Sequence, residues 1–230
     1  MAAVLQPFYS INLWLSDQLF IPEPPSPNIV IVGIDDATLE TYGRLSEWPR
    51  RLHAQAIDNL SEAGAKVIGL DILLVDSSPD DQILASAMES SNNIVLPMVG
   101  TEPLPTTEPE ITFNRSLLPV FSLEQASASI GHANVFPDRD GRVRRLPLLI
   151  RDSAGQVYPA FSVAMLHTLF SMPLPQEYVL QDGALNLLAR DVSVDEHYRL
   201  RINFAADTAS SPYISYGDVI RDDFEHSLVK

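Results

Sequence analysis

Two short runs of apolar, mostly β-branched residues mark the first third of the chain, and each run ends at an aspartate. The first covers residues 29–34 and is followed by Asp35 and Asp36; the second covers residues 67–70 and is followed by Asp71. Continuous apolar runs of this length are typical of strands buried on both faces of a parallel sheet. The chain between them is long enough for a helical crossover, which predicts a β-helix-β unit. Because parallel strands place their carboxyl ends at one edge of a sheet, we expect all three carboxylates there.

The polar and special residues after the first strand predict two helices in succession. Asp35 or Asp36 caps the first helix, and Gly43 ends it in a conformation with positive φ. Pro49 lies in the first turn of the second helix, and Gly64 ends that helix.

The middle of the chain continues the alternation of helices and strands, which then gives way to a loop and an antiparallel pattern. Residues 79–81 open a third helix, and residues 94–98 predict a third buried strand. Residues 100–119 carry prolines among threonines and glutamates and are interpreted as a loop. Residues 131–151 predict an antiparallel hairpin whose turn contains Gly141.

The last third alternates short strands with two helical segments. Pro159 begins an amphipathic helix, residues 177–204 predict short alternating strands, and residues 215–223 predict a last helix. The expected fold class is α/β, with a parallel-sheet core flanked by helices and an antiparallel hairpin extension. Residues 1–27 predict an N-terminal amphipathic helix, at residues 8–20, with a proline-rich lead-in. Residues 28–230 predict a single domain.

Charge and composition exclude several classes of function. The 230 residues carry 30 acidic and 15 basic side chains, a net charge of −15. Binding to nucleic acid phosphates requires the opposite sign, so no nucleic acid partner is expected. The chain has no cysteine, which excludes thiolate nucleophiles, disulfides and cysteine-ligated metals. Its sequence contains no run of about 18 apolar residues of the kind that spans a membrane.

The three strand-end aspartates are the strongest candidates for a metal-binding or catalytic site. Asp35, Asp36 and Asp71 at one sheet edge could share a magnesium ion, as in phosphoryl-transfer sites and receiver domains. The alternative is that Asp35 and Asp36 cap the following helix while Asp71 accepts backbone hydrogen bonds in its loop.

The run of Trp48, Pro49, Arg50 and Arg51 is a second candidate. An aromatic ring beside guanidinium groups at a helix start could frame an anion or a small ligand. The alternative is that Trp48 fills the gap between two helices and Arg50 pairs with Asp35 or Asp71.

Other polar motifs point to structure rather than to catalysis. Residues 138–141 resemble the start of a calcium loop but lack its closing ligands, and a hairpin turn explains them. Arg142, Arg144 and Arg145 are interpreted as one solvated or salt-bridged strand face. The histidines form no pair with metal-ligand spacing, and no glycine-rich phosphate loop or nucleophile motif is present. We therefore expect neither a metal nor a cofactor.

Several blocks occur in a characteristic order. They are IVIVGIDDATL, WPRRLHA, AKVIGLDILLVD, PDDQILASAM, NNIVLP and GHANVFPDRDGRVRRLPLLI. Together they resemble the CHASE domain, type 2, over residues 12 to about 220. INLWLSDQLF resembles the segment that follows the first membrane helix in that family, and SYGDVI resembles a late helix. One departure is that GRLSEWPR keeps only Trp48, where the family has two tryptophans.

The resemblance implies a non-enzymatic sensory domain of a bacterial membrane receptor, such as an adenylate cyclase, histidine kinase or serine/threonine kinase. It implies an extracytoplasmic location, an unknown small-molecule or environmental signal, and membrane anchors in the full-length protein. The family continues with a closing strand, so we expect a truncated sheet whose unpaired edge favours a homodimer.

The resemblance supplies no catalytic residue and no specific ligand. Asp35, Asp36, Trp48, Arg50 and Asp71 are therefore the hypothesised ligand-binding cluster. A metal-dependent phosphohydrolase or receiver-like domain that uses the strand-end aspartates is the alternative function.

Overall fold

The computed structural model describes most of the chain: residues 15, 17, 23–105, 110–175, 178, 180–204 and 211–229. The predicted amphipathic helix at residues 8–20 lies outside these ranges except at Leu15 and Asp17, which are both helical. The division of the chain at residue 28 stays a prediction. No helix within the described ranges has the length and apolar character needed to cross a bilayer.

The described strands are mostly short. They are β1 (Ile31–Gly33), β2 (Ile68–Gly69), β3 (Ile94–Leu104), β4 (Ile111–Leu117), β5 (Ser129–His132), β6 (Arg145–Pro147), β7 (Leu149–Asp152), β8 (Val157–Pro159), β9 (Leu180–Gln181), β10 (Ala184–Leu187), β11 (Arg190–Ser193), β12 (Arg199–Arg201) and β13 (Tyr213–Ser215).

The described α-helices alternate with the strands of the first half and recur at residues 161–169 and 216–221. They are α1 (Asp36–Tyr42), α2 (Arg51–Ala63), α3 (Asp81–Ser91), α4 (Phe121–Ala126), α5 (Phe161–Leu169) and α6 (Tyr216–Arg221). Short 3-10 helices lie at Leu45–Glu47 and His226–Val229.

The largest sheet joins a parallel part to an antiparallel part through one long strand. The first half of β3 pairs in parallel with β2 and β5, and its second half pairs in an antiparallel sense with β4. Strands β4, β7 and β8 then complete the order β2-β3-β4-β7-β8. This mixed sheet confirms the predicted α/β class with a parallel core and antiparallel additions.

Helices cover both faces of the parallel part. Ile68, Ile94 and Leu96 face a core built with α2, α3, α4 and α6. The alternate positions, such as Gly69 and Gly131, face α5 on the opposite side, as the period of two in a strand requires. At Gly131 a Cβ atom would lie 2.5 Å from the Cα atom of Phe161, so only glycine permits this close approach.

The predicted β-helix-β unit forms in part. Its helices and both strands are present, and Val30, Val32 and Ile34 pack on the same core as Ile68. However, β1 pairs with β13 and β2 pairs with β3, so the expectation that β1 and β2 are strands of one parallel sheet was wrong. The C-terminal strand β13 occupies the place beside β1.

Two further expectations were wrong. Residues 100–119 are not a loop, because β3 runs to Leu104 and β4 follows at Ile111–Leu117. Residues 131–151 do not form the predicted hairpin, because β5 pairs with β3 while β6 pairs with β12. An antiparallel hairpin does form nearby from β7 and β8, with Gly155 at φ +89° in its turn.

Candidate functional site

Asp35 caps α1 and ties it to the end of the chain. Its Oδ1 atom accepts hydrogen bonds from the Thr38 backbone N–H at 2.9 Å, the Thr38 hydroxyl at 2.6 Å and the Ser215 hydroxyl at 3.1 Å. The Thr38 hydroxyl contributes most to lowering the pKa of Asp35, followed by the Thr38 amide. The backbone N–H of Gly217 donates to the Thr38 hydroxyl at 3.0 Å. Capping therefore accounts for Asp35, and the same contacts dock β13 and α6.

The other two strand-end aspartates do not join Asp35. Asp36 lies in the first turn of α1 and is exposed, and Asp71 follows β2 and is also exposed. Within the ranges that the structure describes, no three His, Asp or Glu side chains lie together as metal ligands would. The predicted sharing of a magnesium ion by Asp35, Asp36 and Asp71 therefore receives no support from the geometry.

Trp48 is a core residue. Its ring is 7% exposed, and its indole N–H donates to the Gly43 carbonyl at 3.0 Å. Three rings surround it, with centroids 5.8 Å away for Tyr42 and 5.9 Å away for both His53 and Tyr216. We call Tyr42, Trp48, His53 and Tyr216 the aromatic cluster. This geometry favours the interpretation in which Trp48 fills the gap between helices.

His53 and Tyr216 form the polar contact inside the aromatic cluster. The Nδ1 atom of His53 lies 2.7 Å from the Tyr216 hydroxyl. Burial, and then the nearby Arg50 charge, lowers the pKa of His53 to about 4, so the ring is neutral at pH 7. Burial also raises the pKa of Tyr216. The pair is a hydrogen bond between two neutral groups in a closed core.

Arg50 is buried and joins two helix starts. Its guanidinium donates to the Asp81 carboxylate at the start of α3 and to the backbone carbonyl of Asp76. The expected pairing of Arg50 with Asp35 or Asp71 was therefore wrong. The five hypothesised ligand residues occupy separate environments, and a ligand role for them stays a prediction.

The densest group of charges lies elsewhere, around Arg144. This residue is 9% exposed, and all five of its N–H donors are used. Nε and Nη2 donate to the two oxygens of Asp17 at 2.8 Å each. Nη1 donates to Asp138 at 3.1 Å and to Oδ1 of Asp140 at 2.9 Å, and Nη2 donates to Oδ2 of Asp140 at 2.8 Å. Arg142 also donates to Asp17, at 2.9 Å. We call these five residues the arginine cluster.

A tight turn builds this cluster. Gly141 has φ +81°, and its N–H donates to the Asp138 carbonyl at 2.9 Å, which folds Asp138 and Asp140 back towards Arg144. The Arg144 carbonyl then accepts from the Ile202 N–H at 2.9 Å, next to the pairing of β6 with β12. The bonds from Arg144 lower the pKa of Asp17, and they are the main reason that the pKa of Asp140 falls to about 2.

A cavity of about 220 Å³ opens beside Arg144. Its lining combines charged groups with an apolar wall and consists of Asp17, Arg142, Val143, Arg144, Arg201, Ile202 and Phe204. Three arginines and one aspartate therefore line one small space. Asp17, Asp138 and Asp140 together place three carboxylates on Arg142 and Arg144, so the charges of these two arginines are balanced.

Sequence reasoning assigned the turn at residues 138–141 correctly but missed the site. It interpreted Arg142, Arg144 and Arg145 as a solvated or salt-bridged face, whereas Arg144 is both salt-bridged and buried. The signal was the density of opposite charges in D-R-D-G-R-V-R-R, where a glycine turn returns the aspartates over the arginines. The role of Asp17 had no such signal, because it lies 127 positions from Arg144.

Comparison with known proteins identifies one family. The model of the CHASE2 domain matches residues 1–230, the whole chain. Searches of curated proteins and of solved structures give no match. The chain therefore belongs to the CHASE2 domain family, a family of sensory domains of membrane receptors.

Proposed function

We propose that this chain is the extracytoplasmic signal-recognition domain of a bacterial membrane-bound receptor, and that it binds its signal without catalysing a reaction. The observation that carries the proposal is the family match along all 230 residues. The output domain would be a cyclase or a kinase, as in the receptors that the blocks of sequence resemble. The full-length protein would carry the membrane anchors.

The arginine cluster supports a role in sensing. It connects Asp17, near the start of the chain, to Arg144, 127 positions later and next to the turn at residues 138–141. A ligand that changes this contact would change how Asp17 is held against the turn. A receptor domain needs such a connection, because a ligand shifts an equilibrium only through contacts that differ between two states.

A homodimer is part of the proposal. Ile29, Ile31 and Tyr213 are 65%, 46% and 52% exposed along the β1–β13 pair, so this edge of the molecule presents apolar side chains. A second copy would cover them. We expect light scattering after size-exclusion chromatography to give a dimer mass that Ile31→Lys reduces to a monomer mass. A monomer at every concentration would contradict the dimer and leave the sensory role intact.

The location can be tested with a single introduced thiol, because the chain has no cysteine. Ala154 is exposed in the turn between β7 and β8, so Ala154→Cys provides one reactive group. In intact cells that make the full-length protein, we expect a membrane-impermeant maleimide to label this variant. The control is Ala164→Cys, at a fully buried position in α5 that should stay unlabelled until the protein is unfolded.

Labelling of Ala154→Cys only after cell lysis would contradict the extracytoplasmic location. The absence of catalysis is tested separately, with phosphate-ester substrates and magnesium or manganese added to the purified chain. Metal-dependent turnover that is lost in Asp71→Asn would contradict the binding-only role.

A further inference from the structure

Helix α5 is apolar on its outer side as well as on its inner side. Its inner residues Val163 and Ala164 are buried, and the helix packs against β3 and β5. On the outer side Leu166, Leu169 and Phe170 follow the helical spacing of i, i+3 and i+4 and are 43%, 38% and 60% exposed. A surface helix normally carries polar residues on its outer side. The exposed apolar stripe therefore indicates a surface that another molecule covers.

The chain that follows α5 extends this stripe. Ser171 has φ +51° just after the helix, and Met172 and Leu174 come next, 43% and 36% exposed. The Met172 N–H donates to the His167 carbonyl at 2.9 Å, and Nδ1 of the buried His167 ring donates to the Pro173 carbonyl at 3.1 Å. These bonds hold the segment against the end of the helix, so its apolar side chains have a fixed arrangement before any partner binds. We call the five exposed side chains the α5 face: Leu166, Leu169, Phe170, Met172 and Leu174.

The α5 face lies in the longest uncharged run of the sequence. Residues 153–176 contain no Asp, Glu, Lys or Arg, although 20% of the residues in the whole chain are charged. Two copies of a chain with a net charge of −15 repel each other, and they approach at the least electrostatic cost through a segment without charges. The same lack of charge disfavours a bilayer, because helices that lie in a membrane interface carry Lys or Arg beside their apolar residues. The charge pattern therefore favours a second copy of the chain.

The exposed area also fits a contact between two copies. A large apolar side chain has about 150–250 Å² of surface, so the α5 face, whose members are 36–60% exposed, presents roughly 400 Å². An apolar patch of this size is often functional. Two copies that cover each other's α5 face bury roughly 800 Å² of apolar surface, which is the size of a weak interface. The contact should therefore form when copies are concentrated.

We propose that the α5 face binds the α5 face of a second copy of this chain across a two-fold axis. In such a contact one apolar patch serves both partners, so no second complementary surface is needed. The inference goes beyond the proposed homodimer, which uses the β1–β13 pair. Receptors that pair through one of these faces use the other to join dimers into larger assemblies. Anchoring in one membrane raises the effective concentration at which so weak a contact forms.

Cross-linking through one introduced thiol tests the contact, because the chain has no cysteine. The background is Ile31→Lys, so that the β1–β13 pair does not contribute. At high protein concentration and with a short bismaleimide, we expect Phe170→Cys to give at least about fivefold more covalent dimer than Ile83→Cys. Ile83 is the matched control, because it is 51% exposed and lies on α3, on the opposite side of the sheet. Equal yields from the two thiols would overturn the proposal.

The strength of association tests the same contact without a cross-linker. At the dilution of size-exclusion chromatography Ile31→Lys is expected to be a monomer, and sedimentation equilibrium should show it dimerising as its concentration rises. Adding Phe170→Glu places a carboxylate from each copy in the apolar contact, so we expect association to weaken by at least about tenfold. Adding Ile83→Glu instead introduces the same charge on α3 and should leave the association constant unchanged. Equal association constants for the two glutamate variants would overturn the proposal.

The remaining outcomes separate this inference from its rivals and from the proposed function. An Ile31→Lys variant that stays monomeric at every concentration overturns the α5 contact, whereas the homodimer is judged from the difference between the native chain and that variant. Flotation of the native chain with vesicles of neutral phosphatidylcholine, lost in Phe170→Glu, would assign the α5 face to the bilayer and also overturn the proposal. The labelling of Ala154→Cys, which tests the location, does not depend on any of these results.

Discussion

Two buried arginines organise two different regions of this molecule, and they differ in what surrounds them. Arg50 lies next to the aromatic cluster, is 7% exposed, and is held by the Asp81 carboxylate at the start of α3 and by the Asp76 backbone carbonyl before that helix. Arg144 is 9% exposed and is held by three carboxylates, one of them from the N-terminal segment. Arg50 is closed in by helices, whereas Arg144 lines a cavity.

The difference shows why burial of a charge does not by itself identify a binding site. Asp81 is the one carboxylate that pairs with Arg50, so replacing it would leave a buried charge unpaired. Arg144 has more carboxylates than it needs for compensation, and two of them, Asp17 and Asp140, are partly exposed. The loss of one carboxylate therefore leaves Arg144, unlike Arg50, with other carboxylates in contact.

The largest expected effect is at Arg50. Arg50→Met leaves Asp81 without its guanidinium, so we expect the free energy of unfolding to fall by about 3–5 kcal/mol in urea titrations. The neighbouring Arg51 is the control, because its side chain is 62% exposed and pairs with Asp80. Arg51→Met should cost less than about 1 kcal/mol. Equal losses would contradict the closed character of the Arg50 region.

Acid should affect the two regions in separate pH windows. His53 has a pKa of about 4 in the folded chain against 6.5 when exposed, so the unfolded chain binds more protons between these values. Its contribution to stability is present above pH 6.5 and is lost as the pH falls towards 4, at about 1.4 kcal/mol per pH unit. His132, whose burial also lowers its pKa to about 4, contributes a similar slope.

The carboxylates of the arginine cluster follow at lower pH. Asp17 and Asp140 have lowered pKa values, so their contribution to stability is present above pH 3.8 and is lost below it, down to about pH 2 for Asp140.

The variant His53→Phe tests the histidine contribution. Urea titrations of this variant should show half of the native change in the free energy of unfolding per pH unit between pH 6.5 and 4, with His132 supplying the rest. An unchanged slope would contradict the assignment to His53.

Salt should distinguish the two arginines. We expect Arg144→Gln to lower the Tm by roughly 5 °C at low ionic strength, because three carboxylates then repel one another. In roughly 1 M NaCl this loss should shrink, since Asp17 and Asp140 are partly exposed and are screened. The loss in Arg50→Met should stay nearly constant with salt. Scanning calorimetry at both salt concentrations checks this, and parallel behaviour of the two variants would contradict it.

The smallest effects concern the strand-end aspartates. Asp35→Ala removes a helix cap and the link to Ser215, so we expect a fall in Tm of roughly 3 °C. Asp71 is exposed, and Asp71→Ala should change the Tm by less than about 1 °C. A larger change in Tm at Asp71 than at Asp35 would support the interpretation in which Asp71 binds a metal ion.

Much of the fold followed from local patterns. The caps at Asp35, Gly43 and Gly64 and the helix that follows Pro159 all occur as predicted, because each depends on residues close together in sequence. The loop interpretation of residues 100–119 was wrong because Pro103 marks irregular structure in most sequences, yet here it lies in β3 opposite Phe113.

The sequence by itself determined the α/β class, most of the helices, the turn at Gly141 and the acidic charge, since these depend on periodicity and composition. The tertiary structure decided which strands are neighbours, because a fully apolar strand such as β1 pairs equally well with β2 or with β13. It also decided the partners of the charged residues. Arg50 reaches Asp81, and Asp17 reaches Arg144 across 127 positions, because folding alone brings these elements together.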